Sequence, residues 1–126
     1  MIKIVNGYVI EPGANLSRAY LRDADLRCAD LRDALLMDAN LKSADLYMAD
    51  LNDAILWDAN LKGANLYMAD LSFANLRDVN LKGANISRAD LRGANLRGAK
   101  LKNADLEGAK LDGADVTGTI LEKKEN

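Results

Sequence analysis

Histidine is absent from this 126-residue chain, cysteine occurs once (Cys28), and aromatic residues make up only 5 %. Without imidazole there is no Ser–His–Asp triad and no His-ligated zinc centre. A lone cysteine makes neither an intrachain disulfide nor a thiolate cluster, and it fits a reducing, cytoplasmic setting. The opening MIKIVNGYVIEPG has no basic-then-apolar leader, and no apolar run approaches the about 20 residues of a membrane-spanning helix. Neither sign of charge is in excess: 17 basic against 19 acidic residues leave −2, which argues against nucleic-acid binding over the whole surface. No nucleophile–base pair and no Gly-rich phosphate or cofactor loop can be read, so no enzyme activity, cofactor, metal or small-molecule substrate is expected.

What is abundant is leucine and alanine, 21 and 20 residues, about a third of the chain. They obey one rule. From Ala14 onward every fifth residue is a centre, Leu16 to Leu121; all 22 centres are Leu except Ile86 and Val116. Two residues before each centre stands Ala, except at Val79 and Thr119, and every Ala of the chain is in this phase. The residue just before the centre is Asn or Asp in 16 of 22 cases; Tyr20, Leu35, Ile55, Lys100, Lys110 and Ile120 depart from the rule.

A helix cannot use a five-residue step, because at about 100° per residue successive leucines scatter around its axis. A straight strand fails as well: Ala and Leu share one face, and the next Ala falls on the other. The mismatch disappears if the chain bends every five residues with Ala and Leu always inward, which closes it into stacked coils. The variable positions set the size of a coil. Residues 34–53 (ALLMDANLKSADLYMADLND) and 54–73 (AILWDANLKGANLYMADLSF) agree at 14 of 20 positions, 6 of them outside the compulsory Ala and Leu. A 20-residue superperiod means four pentapeptides per coil, with like residues stacked about 4.8 Å apart.

The tandem Ala-(Asp/Asn)-Leu-x-x motif over residues 14–121 resembles the pentapeptide-repeat proteins. That resemblance implies an all-β, right-handed quadrilateral β-helix, here of about five coils, with Leu and Ala inside and the other three residues of each repeat outside. Handedness comes from the resemblance alone. Residues 1–13 read as an N-terminal cap: Ile2–Val5 and Tyr8–Glu11 flank Asn6-Gly7, a strong hairpin signal, and Pro12-Gly13 marks the junction. Residues 122–126 form a short polar tail, with no C-terminal helix to be read.

Stacking turns the surface into columns. Arg22, Lys42, Lys62, Lys82 and Lys102 form a basic ladder that could meet phosphates or an acidic partner. The competing reading is a solvated, charge-balanced face, since Asp38, Asp58 and Asp78 stand one corner away and Asn40, Asn60 and Asn80 lie between. Asp30, Asp50, Asp70 and Asp90 form an acidic column, for which hydrogen bonding to local backbone is preferred over a divalent ion. Leu35, Met37, Ile55 and Trp57, with Phe73 at the neighbouring corner, are expected to form an apolar contact patch. Tyr47, Met48, Tyr67 and Met68 make a second cluster on the opposite face.

The expected function is a non-enzymatic interaction or structural module whose outward faces meet a protein partner, possibly a second copy, without nucleic acid or membrane. The alternative, implied by one branch of the resembled family, is a duplex-DNA mimic that binds gyrase or another type II topoisomerase. A net charge of −2, the lysine ladder and the missing C-terminal helix fit that alternative poorly.

Overall fold

Residues 2–123 are described by a computed structural model, and they begin with a hairpin. Strand β1 (Lys3–Val5) pairs antiparallel with β2 (Tyr8–Ile10), with Ile4 opposite Val9. Asn6 and Gly7 both have positive φ (52° and 83°), the type I′ geometry that matches strand twist and that Asn-Gly favours. The hairpin buries Ile10 and packs Val5 and Tyr8 against the main core. It also meets edge groups of the coil that follows. The Tyr20 N–H donates to Tyr8 Oη (3.1 Å), while Asn6 Nδ2 and Lys3 Nζ donate to the carbonyls of Tyr20 and Arg27 (both 3.3 Å).

From Asn15 onward the chain pairs with itself at a fixed offset of 20. Parallel bridges join Asn15 to Leu35, Leu35 to Ile55 and Ile55 to Asn75, and the three other sides of the coil repeat the offset. Four five-residue sides therefore complete one coil. Each side hydrogen-bonds to the next coil through a repeating set. Leu36 N–H donates to Ile55 O (2.7 Å), Asp38 N–H to Trp57 O (3.2 Å), and Ile55 N–H back to Ala34 O (2.9 Å). The weak β propensity of Ala, Asn and Asp is overridden by this ladder and by the core.

The bend at each corner is a β-turn spanning Leu, two outward residues and the next Ala. In one such turn Ala39 N–H donates to Leu36 O at 3.1 Å. The second outward residue has positive φ at every corner from Arg18 to Gly118: 14 of them carry side chains, with φ of 54–63°, and seven are Gly. Positive φ at only the third residue of the turn is the type II signature. Here lies a sequence signal that the five-residue rule alone does not use. Eight of the nine glycines share this one phase, and half of the 14 side-chain-bearing corners are Asp or Asn, which tolerate the left-handed region.

Inside the coil, centre residues from Leu21 to Leu96 are at most 1 % exposed and their alanines at most 5 %. Val79 fits where Ala is the rule, fully buried. Further along, Leu106, Leu111, Val116 and Leu121 are only half-buried. No helix among the described residues is long and apolar enough to cross a membrane.

Candidate interaction surface

The outward columns begin with the residue before each centre. All 16 Asn and Asp side chains at this position accept, through Oδ1, the backbone N–H two residues on, at 2.9–3.4 Å. This is the local backbone bonding expected for the acidic column, and it fixes the turn that follows. Where an Arg stands two residues after an Asp, the pair also closes as an ion pair: Arg27–Asp25 (2.8 Å), Arg32–Asp30 and Arg92–Asp90 (both 2.7 Å). The guanidinium hydrogen bond holds the carboxyls of Asp25, Asp30 and Asp90 below the usual carboxylate range. At Asp115 the Thr117 hydroxyl is the main cause of the same displacement, with Arg97 assisting. No group of three or more Asp, Glu or Cys among the described residues is arranged to hold a metal ion.

Leu35 and Ile55 interrupt this Asx column. They are bridge partners, stacked one on the other and half-buried. Met37 and Trp57 occupy the adjoining turn position; Met37 is half-buried with its sulfur 3.9 Å from Ser17 Oγ, and Trp57 is 37 % exposed. Replacing Asx by Leu and Ile has a second effect. Among the described residues the N–H groups of Met37 and Trp57 find no acceptor, because the side chain that serves this purpose elsewhere is gone.

Phe73 lies at the preceding corner one coil on, 64 % exposed. Its ring leans towards the C-terminal side, so that a Cβ on Gly93 would stand 2.5 Å from it. The structure thus brings Leu35, Met37, Ile55 and Trp57 into two adjoining columns and turns the Phe73 ring to the coil beyond. On the opposite face Tyr47 and Tyr67 stack with centroids 5.9 Å apart and planes 8° from parallel. Met48 and Met68, the second outward residues of the same turns, are exposed.

The basic ladder runs up a third side. Arg22 is 3.6 Å from Asp23, whereas Lys42, Lys62, Lys82 and Lys102 take part in no ion pair among the described residues. The balance expected from Asp38, Asp58 and Asp78 is therefore not made by contact. Asp78 pairs instead with Arg77 (3.6 Å). An open hollow of about 300 Å³ is lined by Lys62, Lys82, Gly83, Lys102 and Asn103.

A family model of pentapeptide repeats matches residues 14–53, 44–83 and 84–122. The chain belongs to the pentapeptide-repeat family. Among solved structures it is similar to a pentapeptide repeat protein from the cyanobacterium Cyanothece 51142, with 42 % identity, TM-score 0.71, and coverage of 74 % of this chain and 64 % of that one. A pentapeptide repeat protein from the Arabidopsis thaliana thylakoid lumen shows 28 % identity and TM-score 0.49 over 86 % of this chain and 61 % of its own. Full-length QnrB1, a plasmid-mediated fluoroquinolone resistance protein, shows 18 % identity and TM-score 0.41 over 86 % and 68 %. The chain thus spans somewhat under two thirds of the first two relatives. A search of curated proteins returned no match at the threshold applied. Family membership implies the right-handed, four-sided β-helix.

Proposed function

We propose that this chain is a non-enzymatic interaction module: a rigid rod of about five coils, closed at its N-terminal end by the hairpin, working in the cytoplasm. Its principal contact surface is the apolar patch of Leu35, Met37, Ile55 and Trp57, with Phe73 at its margin. The partner is a protein, and a second copy of the chain is the simplest one.

The observation that carries this reading is the paired departure from the Asx rule. At Leu35 and Ile55 the fold gives up the Asx side-chain bond to the backbone N–H two residues on, worth about 0.5–1.5 kcal/mol each. It gains nothing in the core, since both side chains face outward. Two uncommitted N–H groups beside an exposed indole and a half-buried thioether then suit a partner surface that is apolar and also supplies acceptors. A duplex-DNA mimic is not favoured. Four of the outward carboxylates are bonded to arginines of the same chain, and the lysine ladder faces solvent beside them.

The test is light scattering on wild type and Trp57→Glu. The expected result is a dimer at tens of micromolar wild-type protein and a monomer for the variant, with an unchanged circular dichroism spectrum. Monomers in both cases remove the second copy and leave a different protein as the partner. In that event a pull-down from the host with wild-type bait, lost with Trp57→Glu, carries the reading, and equal capture by both baits ends it.

A further inference from the structure

The basic ladder has a chemistry independent of the apolar patch. Each of the eight ion pairs among the described residues uses Arg, and none uses Lys. The molecule neutralises its own carboxylates with guanidinium forks and leaves the lysines of one side unspent. From Lys42 to Lys102 these lysines span three coil steps, about 14 Å along the rod.

The surroundings of the line are donors. Oδ1 of Asn40, Asn60 and Asn80 is committed to the N–H of Lys42, Lys62 and Lys82 (3.1, 3.0 and 3.1 Å), so each amide NH2 is the free end. The corner beyond the lysines is Ser43, Gly63, Gly83 and Asn103, without a carboxylate. At Gly83 the space a Cβ would enter is open, which gives the hollow between Lys62, Lys82 and Lys102 its floor. Ammonium and amide donors along a groove, with the nearest carboxylates of that side (Asp38, Asp58 and Asp78) one corner away, define a site for oxyanions.

The geometry points to a linear phosphate chain, inorganic polyphosphate, lying along Lys42, Lys62, Lys82 and Lys102. Several features select it over other polyanions. No aromatic stands among Lys42 to Lys102, and the single exposed Tyr20 one coil before them is no platform for the successive bases of a single strand. A flat anionic bilayer would have to cover the whole side, including Asp38, Asp58 and Asp78 at its other edge. An extended acidic peptide presents same-face carboxylates about 6.7 Å apart, out of step with lysines about 4.8 Å apart. A thin phosphate chain without side groups can follow the line, and lysine meets phosphate as a point charge.

Fluorescently labelled polyphosphate is titrated with the full chain at several salt concentrations. Four lysine contacts predict a slope of log K against log salt of about −3, falling to about −1 in the triple variant Lys62→Ala, Lys82→Ala, Lys102→Ala. Arg77→Ala with Arg97→Ala, on another side, leaves the slope unchanged, and Lys→Arg at the three ladder positions preserves binding. Circular dichroism of each variant reports its fold, and the arginine triple supplies the answer should the alanine triple misfold. No binding of polyphosphate at 50 mM salt, or an unchanged slope in a folded alanine triple, overturns the assignment. So does equal or tighter binding of oligoglutamate, a single-stranded oligonucleotide or anionic vesicles.

Discussion

The two middle coils, residues 34–73, and the coils on either side share one backbone, yet they are dressed differently. The middle is apolar, aromatic and amide-rich: Leu35 on Ile55, Tyr47 on Tyr67, and Asn52 Nδ2 donating to Ser72 Oγ at 2.9 Å. The flanks carry the close Arg–Asp pairs, Arg27–Asp25 and Arg32–Asp30 before and Arg92–Asp90 and Arg97–Asp115 after. The difference follows from the 20-residue register, which places each side chain on its own counterpart. Apolar and aromatic residues gain from being stacked on copies of themselves, and carboxylates repel. An Asp column is therefore tolerated where a cation or hydroxyl meets most of its acids, as Arg32, Ser72 and Arg92 do for Asp30, Asp70 and Asp90.

Burial separates the regions again. Leu66 and Ala64 are covered above and below, whereas Leu111 and Ala109 lie half-open at the far end of the described chain. The largest contrast is therefore expected from overpacking. Ala64→Phe should destabilise the protein by more than about 2 kcal/mol, because the chain runs close beside a filled coil. Ala109→Phe should cost well under half as much. Urea melts of both variants check this, and equal losses would mean that stacking does not decide how full a coil is.

A smaller effect, about 1 kcal/mol, is expected at the corners. Gly83 has φ 66° with nothing near its absent Cβ, so Gly83→Ala meets only the strain of a left-handed residue. Gly93, at φ 69°, carries the same strain and the Phe73 ring besides. Gly93→Ala should cost more than Gly83→Ala, and the two should become equal in a Phe73→Ala background. A difference that survives removal of Phe73 would place its cause in the backbone.

The register, the inward Leu and Ala, and the Asn and Asp backbone bonds were legible in the sequence, because each repeats more than a dozen times and needs no knowledge of a distant neighbour. The positive φ of every corner was not read from the five-residue rule. Arg18, Cys28, Met48 and Phe73 share that conformation with glycine, so no single residue announces it, and only the common phase of the glycines does. The lean of Phe73 was hidden for another reason: it depends on Gly93, 20 residues on, leaving room. The ladder itself was readable, but its lack of ion-pair partners was not, since that depends on which rotamers the arginines and aspartates adopt together.

The smallest effect separates the regions by pH. Asp25, Asp30, Asp90 and Asp115 all hold their protons less readily in the folded chain, the first three mainly through a guanidinium partner and Asp115 mainly through Thr117. As pH falls through about 4, the unfolded chain takes up protons that these native carboxylates resist, so the stability they lend is complete above that range and is lost below it. Asp25, Asp30 and Asp115 are substantially solvent-exposed and Asp90 less so, so salt should weaken the effect, least at Asp90. In a solenoid whose coils touch only their neighbours, the loss should act where the groups are. Amide exchange followed by NMR between pH 6 and pH 3, corrected for intrinsic rates, should show protection falling at Leu26, Leu31 and Leu91 while Leu56 and Leu66 hold. Uniform loss along the rod would mean that the coils melt as one cooperative unit, and that the dressing of the surface, however different between middle and flanks, leaves no mark on local stability.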